Sequence, residues 1–260
     1  MNMPRFSANL TMLFTEVPFM DRFERAAQAG FKAVEYMFPY PYSIAELAEK
    51  LEKYNLAQAL FNLPAGNWEK GERGVALSPG RVKEFEDGVG IAVGYARAMK
   101  CPQINCLVGL TPDLPEETVR TTLVNNLRFA AETLAEANIR LLVEALNTKD
   151  IPGFYLSSTM DVLSLIKDVN HPNVFCQYDI YHMQVMEGNL TETIRKHTDS
   201  IGHIQIADNP GRHEPGTGEI NFQNLFRFID EAGYKGFIGC EYKPLAGTEE
   251  GLGWIKPYLG

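Results

Sequence analysis

Apolar and β-branched residues gather along the chain in short runs at fairly even intervals: "RFSANL" (5–10), "AVEYMF" (33–38), "QALFNL" (58–63), "QINCLVG" (103–109), "RLLVEAL" (140–146), "VFCQYD" (174–179), "IGHIQIAD" (201–208) and "FIGCEY" (237–242). Each run is bounded by turn residues and too short for a helix, which predicts strands. Between the runs, apolar positions recur at helical spacing. "FMDRFERAAQAG" closes on a glycine C-cap signal, "SIAELAEKLEKYN" opens on a serine N-cap, and "EETVRTTLVNNLRFAAETLAEAN" is long and amphipathic. Near-continuous apolar strands that alternate with helices predict a parallel sheet covered by helices, and eight such units predict closure into an α/β fold, a single (β/α)8 TIM barrel. A doubly wound open sheet is the rival. It lacks support, because no GxGxxG turn follows the first strand and the glycines of "GVGIAVG" (88–94) fall inside a helical pattern.

No Ser/Gly/Pro-rich linker or charge block divides the 260 residues, so one domain spanning 1–260 is expected. With 45% hydrophobic and 22% charged residues the chain reads as globular. The net charge of −9, with no Lys/Arg cluster, argues against a nucleic-acid surface. The opening "MNMPRFSANLTMLFTEVPF" is too polar for a secretory signal, and no run is long and apolar enough to span a membrane, so a cytoplasmic location is expected. Cys101, Cys106, Cys176 and Cys240 lie in or beside apolar runs without CxxC spacing and read as small buried hydrophobes. A homo-oligomer is left open by the sequence.

Chemistry in a (β/α)8 barrel sits at the C-terminal ends of the strands. Four successive runs end in polar residues: Glu144 on the fifth, Asp179 on the sixth, Gln205 on the seventh and Glu241 on the eighth. Neighbouring strands are about 5 Å apart, so these four side chains would bring their oxygens together. Three carboxylates cannot share one point unpaired, and a divalent cation resolves the conflict. The donors are all oxygens, which favours Mg²⁺ or Mn²⁺ over Zn²⁺. Taken singly, each of the four reads more readily as an ordinary strand-terminal polar group, solvated or hydrogen-bonded by the following loop.

Around this quartet stand candidates for a small anionic substrate: His182 in the loop after Asp179, Arg212 with His213 in a long Gly/Pro-rich loop that reads as a lid, and Lys243, which shares the strand parity of Glu241. Arg73 and Arg81 are fallback holders of the substrate carboxylate, and Glu35 and Asn62 fall where they would line the same mouth. His203, one layer deeper than Gln205, reads as a core histidine.

These residues carry a family resemblance. The quartet, with "DIYH" after the sixth strand, resembles the xylose-isomerase-like barrel superfamily, which also holds ketose 3-epimerases. "NLPAGNWEKGERG", "QYDIYHMQVMEGNLT", "HIQIADNPGRHEPGTGEIN" and "GCEYKP" are similar to the hydroxypyruvate isomerase family across essentially the whole chain. The resemblance implies interconversion of hydroxypyruvate and tartronate semialdehyde (2-hydroxy-3-oxopropanoate), with Glu144 and Glu241 as the acid/base pair. Epimerase relatives generally carry His where this chain has Gln205, which moves the site toward oxygen ligation.

Moving a carbonyl between adjacent carbons takes a proton from one and returns it to the other through an enediolate, a charge that a divalent metal stabilises. Four alternatives accompany this reading: an isomerase of a four-carbon oxo acid (2-oxotetronate), a ketose 3-epimerase, a metal-dependent nuclease, with which the acidic charge and only five histidines fit poorly, and a non-catalytic barrel that binds a small ligand.

Overall fold

The predicted strands and helices recur in the computed structural model, which describes residues 4–259. The strands are β1 (Arg5–Asn9), β2 (Ala33–Glu35), β3 (Ala57–Asn62), β4 (Gln103–Cys106), β5 (Arg140–Glu144), β6 (Val174–Asp179), β7 (Ile201–Ile206) and β8 (Phe237–Cys240). They pair in sequence order, all parallel, and β8 closes onto β1. This is the closed (β/α)8 barrel that the alternation predicts, and the doubly wound reading falls.

Helices cover the outside: α1 (Arg22–Gln28), α2 (Ile44–Lys53), α3 (Val82–Met99), α4 (Glu116–Glu136), α5 (Thr159–Val169), α6 (Ile180–Met186), α7 (Leu190–His197) and α8 (Phe222–Glu231). Local chemistry explains their ends. Ser43 and Glu46 form a reciprocal capping box on α2, Ser158 and Asp161 do the same on α5, and Gly30 turns the chain after α1 with φ of 99°. The glycines of "GVGIAVG" lie inside α3, where Gly88 packs against Pro64.

All the strands but β6 stop short of their apolar runs at the C-terminal end. β8 stops at Cys240, so Glu241 to Lys243 lie beyond it and strand alternation no longer governs them. All four cysteines are buried and free.

A (β/α)8 barrel is usually filled by branched aliphatics. This one is filled by polar side chains. Ser7, Asn9, Glu35, Gln58, Gln103, Asn105, Gln177, His203 and Gln205 are all buried, while the apolar core lies between strands and helices. Each buried polar group needs a partner, and most of these side chains pair with one another, although Gln58 Oε1, Asn105 Oδ1 and Gln177 Oε1 have none among the described residues.

Candidate active site

The C-terminal mouth of the barrel holds a cavity of about 120 Å³ lined by Glu144, Gln205 and Glu241 together with His182 and Arg212. The rest of the lining is largely apolar, with Met12, Met37, Trp68, Leu107 and Ile151, and includes Glu35 and Asn62 at the mouth as expected. Glu144 is buried at the end of β5, where Asn105 Nδ2 donates to its Oε2 at 2.9 Å. Glu241, just past β8, accepts from Asn9 Nδ2 at 3.1 Å and from Arg212.

Asp179 ends β6 and caps α6. Its Oδ1 accepts from the backbone N–H groups of Tyr181 (2.8 Å) and His182 (3.4 Å), which orients the carboxylate. Oδ2 is buried with no hydrogen-bond partner among the described residues. His182 Nε2 and an Arg212 nitrogen each stand 3.5 Å from it, too far for a good bond. A buried carboxylate oxygen without a partner is costly, and it is the observation that fits a cation here. Ligand atoms of Glu144, Asp179 and His182 lie within 4.8 Å of one another.

Gln205 sits opposite Asp179 in the β6–β7 register, with its Oε1 accepting from Gln177 Nε2 at 2.6 Å. Its second lone pair is left over, whereas Glu241, held by Asn9 and Arg212, lies outside the cluster that Glu144 and Asp179 form with His182.

His182 lies in the first turn of α6 and is buried, not in an open loop. Its Nδ1 accepts from the Asn147 backbone N–H at 3.1 Å. A backbone N–H can only donate, so the hydrogen of the neutral ring belongs on Nε2. Burial lowers the pKa of His182 to about 4, against the pull of Asp179, which keeps the ring neutral. An Nε2–H that faces the site donates to an oxygen and does not ligate a cation.

The loop after β7 is built, not loose. Asp208, fully buried, accepts from four backbone N–H groups: Asn209 (2.9 Å), Gly216 (2.9 Å), Gly218 (2.8 Å) and Ile220 (3.1 Å). Within it Arg212 takes a left-handed backbone with φ of 58°, held by its N–H on the Asp208 carbonyl and by Lys243 N–H on its own carbonyl. Its guanidinium bonds Glu241, lies 5.1 Å over the Tyr181 ring, and leaves Nε buried without a partner.

The lid reading therefore gives way to a fixed arm that delivers Arg212 to the cavity. His213 turns aside, donating from Nδ1 to the Lys243 carbonyl. The Lys243 side chain is exposed and not among the cavity lining, because its backbone runs beyond the end of β8. Arg73 stacks on Trp68, Arg81 pairs with Glu72 and Glu84, and neither lines the cavity.

Electrostatics follow from this crowding. Burial pushes the Glu144 carboxyl well up, and the charges of Glu241 and Asp179 add to it. Burial also raises Glu241, opposed by Arg212 and reinforced by Asp179. Arg212 is lowered by burial and raised on balance by Glu241, Asp179 and Glu144. Two carboxyls that hold protons above their usual range are groups suited to acid/base work.

Strand-end reasoning reaches Asn9 and Asn105 as readily as Glu144, since they end or nearly end β1 and β4, but their supporting roles appear only in the contacts. Asn147 and Asp150 carry no signal in the sequence. They lie in a loop, where Asp150 accepts from Tyr181 Oη at 2.9 Å.

Comparison with known proteins agrees with the barrel fold. A family model described as xylose isomerase-like TIM barrel matches residues 23–258. The chain is 56% identical to hydroxypyruvate isomerase of Escherichia coli, covering 98% of this chain and 100% of that one. It is 46% identical to 2-oxo-tetronate isomerase of Cupriavidus necator, covering 99% and 100%. A solved structure from Brucella melitensis, described as an AP endonuclease of family 2, superposes with a TM-score of 0.97 at 46% identity, covering 98% of this chain and 99% of that one.

Proposed function

The chain belongs to the xylose isomerase-like TIM barrel family, and on that footing we propose that it is an isomerase interconverting hydroxypyruvate and tartronate semialdehyde. The single observation that carries this reading is that two buried carboxyls, Glu144 and Glu241, both pushed up by burial, line one small cavity together with His182 and Arg212. Glu144, Asp179, Gln205 and Glu241 would hold a divalent ion, Mg²⁺ or Mn²⁺ by the chemistry of the donors. Such an ion supplies Lewis-acid polarisation of the substrate oxygens.

The chain's own groups do the rest. One glutamate takes a hydrogen from the terminal carbon as a proton, and a glutamate returns one to the middle carbon. The hydroxyl proton moves in the same sense, from the terminal oxygen to the middle one, so the atoms balance. His182 Nε2–H donates to an oxygen of the intervening enediolate. Arg212 is the only cation lining the cavity among the described residues, and its guanidinium would hold the substrate carboxylate. The apolar wall excludes water from the carbanionic centre.

A four-carbon oxo acid is the second reading, favoured by the 46% identity to a 2-oxo-tetronate isomerase. A ketose epimerase fits less well, because about 120 Å³ lies well below the roughly 300–1,000 Å³ usual for larger ligands. A binding-only barrel has no need of two proton-holding carboxyls. For a nuclease, the net charge of −9 is adverse and the carboxylate cluster includes one histidine.

The test is incubation of Mn²⁺-loaded protein with each oxo acid and identification of the products. Conversion of hydroxypyruvate faster than the four-carbon acid supports the reading. If neither the aldehyde from hydroxypyruvate nor the 3-ketone from the four-carbon acid forms, the reading fails.

A further inference from the structure

The barrel interior holds a file of buried polar side chains that no step above uses. It runs from the site down to the opposite mouth. Glu35, at the end of β2, is fully buried and accepts from four side chains: Ser7 Oγ at 2.6 Å, Gln205 Nε2 at 2.8 Å, His203 Nε2 at 2.9 Å and Asn9 Nδ2 at 3.3 Å. Below it, His203 Nδ1 lies 3.2 Å from Gln103 Nε2, and Gln103 Oε1 accepts from Arg140 at 2.6 Å. Arg140 begins β5 at the far mouth, whereas Glu144 ends the same strand at the site.

The direction of every bond in this file is fixed from its end. A guanidinium only donates, so Arg140 turns the Gln103 carbonyl toward itself and the Gln103 amide N–H toward His203 Nδ1. The His203 hydrogen then lies on Nε2, pointing at Glu35. An ionised carboxylate only accepts, so Glu35 draws the NH₂ of Gln205 and thereby turns the Gln205 carbonyl the other way, where Gln177 meets it. Asn9 shares its NH₂ between Glu35 and Glu241 and so ties the second carboxylate to the same anchor. A side chain at Gly239 would collide with the Glu35 carboxylate, so the chain leaves room for it.

Filling the same layers with aliphatic side chains would avoid the desolvation of all these groups. Packing alone therefore does not account for them. We propose that Glu35 is the positioning residue of the site, holding the Gln205 carbonyl and, through Asn9, the Glu241 carboxylate in their working orientations, with Arg140 setting that orientation from the far mouth through Gln103 and His203. The inference rests on the reading that Gln205 and Glu241 face the ion and substrate.

The test measures Mn²⁺ affinity by calorimetry without substrate, beside kcat and KM. In Glu35→Gln the amide can offer hydrogens to Gln205 and release its orientation. Mn²⁺ binding should weaken about tenfold to a hundredfold, the usual effect of removing a group that orients a ligand, and kcat should fall more than KM rises. Arg140→Met, remote from the ion, should weaken binding in the same direction and Arg140→Lys should restore it, a rescue that a merely structural role would not produce.

A folded Glu35→Gln variant with unchanged Mn²⁺ affinity would overturn the proposal. Should that variant not fold, unchanged affinity in both Arg140→Met and Gln103→Leu would overturn it equally. Wild-type protein that takes up no Mn²⁺ would instead sink the metal reading of the site. The orientation is then read from hydrogen exchange of the Gln205 side-chain NH₂ by NMR, slow in wild type and fast in Glu35→Gln or Arg140→Met; equal rates would overturn the proposal by themselves.

Discussion

The backbone N–H of Asn147 donates to Nδ1 of His182 at 3.1 Å. That one contact decides what the histidine can do, because it forces the hydrogen of the neutral ring onto Nε2, the nitrogen that faces Asp179. His182 belongs by distance to a cluster able to ligate a metal, yet by tautomer it is a donor.

Two outcomes separate these roles. In His182→Gln the turnover should fall by about 10²–10³, the loss typical of one donor to a developing oxyanion. Mn²⁺ affinity should hardly change. If calorimetry shows the ion lost together with activity, His182 is a ligand and the tautomer argument is wrong.

Arg212 and Lys243 compete as holders of the substrate carboxylate, and the geometry favours the arginine. Its Nε is buried and unpartnered at the cavity, while the lysine side chain is exposed. Replacing Arg212 with Met should raise KM about ten- to a hundredfold, the worth of a hydrogen bond to a charged group. Lys243→Met should leave KM within about twofold of wild type. The opposite ranking in steady-state kinetics would return the role to Lys243.

How these two residues were placed shows what the sequence makes legible. Eight apolar runs separated by helical spacing carry the barrel, because a strand buried on both faces must be apolar along its length or paired inside. The same pattern brings Glu144, Asp179, Gln205 and Glu241 to strand ends, since the fold puts every strand end at one mouth.

Parity misplaces Lys243, because alternation holds only while the backbone stays extended, and β8 stops at Cys240. Composition likewise suggests a loose lid for "NPGRHEPGTGEIN". The single carboxylate of Asp208, unmarked in the sequence, instead gathers four backbone N–H groups into a fixed arm. Asn147 was out of reach for a similar reason, since its contact with His182 joins residues 35 apart through a loop.

The raised carboxyls make the stability of the metal-free protein depend on pH with a definite sign. Glu144 and Glu241 keep protons in the folded state that the unfolded chain has already lost near 4.5. Folding thus binds protons, and this contribution is complete below that value and lost as pH rises through the folded-state values. His182, lowered to about 4, and Asp150, lowered below the usual aspartate range, contribute with the opposite sign. The comparison to make is therefore with the Glu144→Gln/Glu241→Gln double variant, unfolded by urea in chelator. Between about pH 5 and pH 8 the wild type should lose stability relative to the variant. A difference that stays flat would show that both carboxyls titrate normally. Added Mn²⁺ should remove the dependence, with affinity rising as pH rises, because the ion takes the place of the protons.

The division of labour between the two glutamates is the remaining mechanistic question. Their surroundings differ: Asn105 donates to Glu144, while Asn9 and Arg212 hold Glu241. Arginine at Glu241 favours its ionised form and so opposes the effect of burial, whereas Glu144 has no comparable partner at bonding distance. With substrate bound and Arg212 drawn onto the substrate carboxylate, Glu241 loses that counter-charge and becomes the stronger base. Glu241 is thus expected to take the proton from the terminal carbon of hydroxypyruvate, and Glu144 to deliver one to the middle carbon. Changing either to Gln keeps an oxygen donor and similar volume while removing the base, so turnover should fall by about 10² or more. The assignment is read from deuterium exchange in heavy water. Glu144→Gln should still exchange the terminal carbon hydrogen of hydroxypyruvate while forming little product, and Glu241→Gln should do neither, with bound Mn²⁺ confirmed in both. Exchange retained by Glu241→Gln and lost in Glu144→Gln would reverse the roles, and loss of turnover in one variant alone would mean that a single carboxylate shuttles the proton.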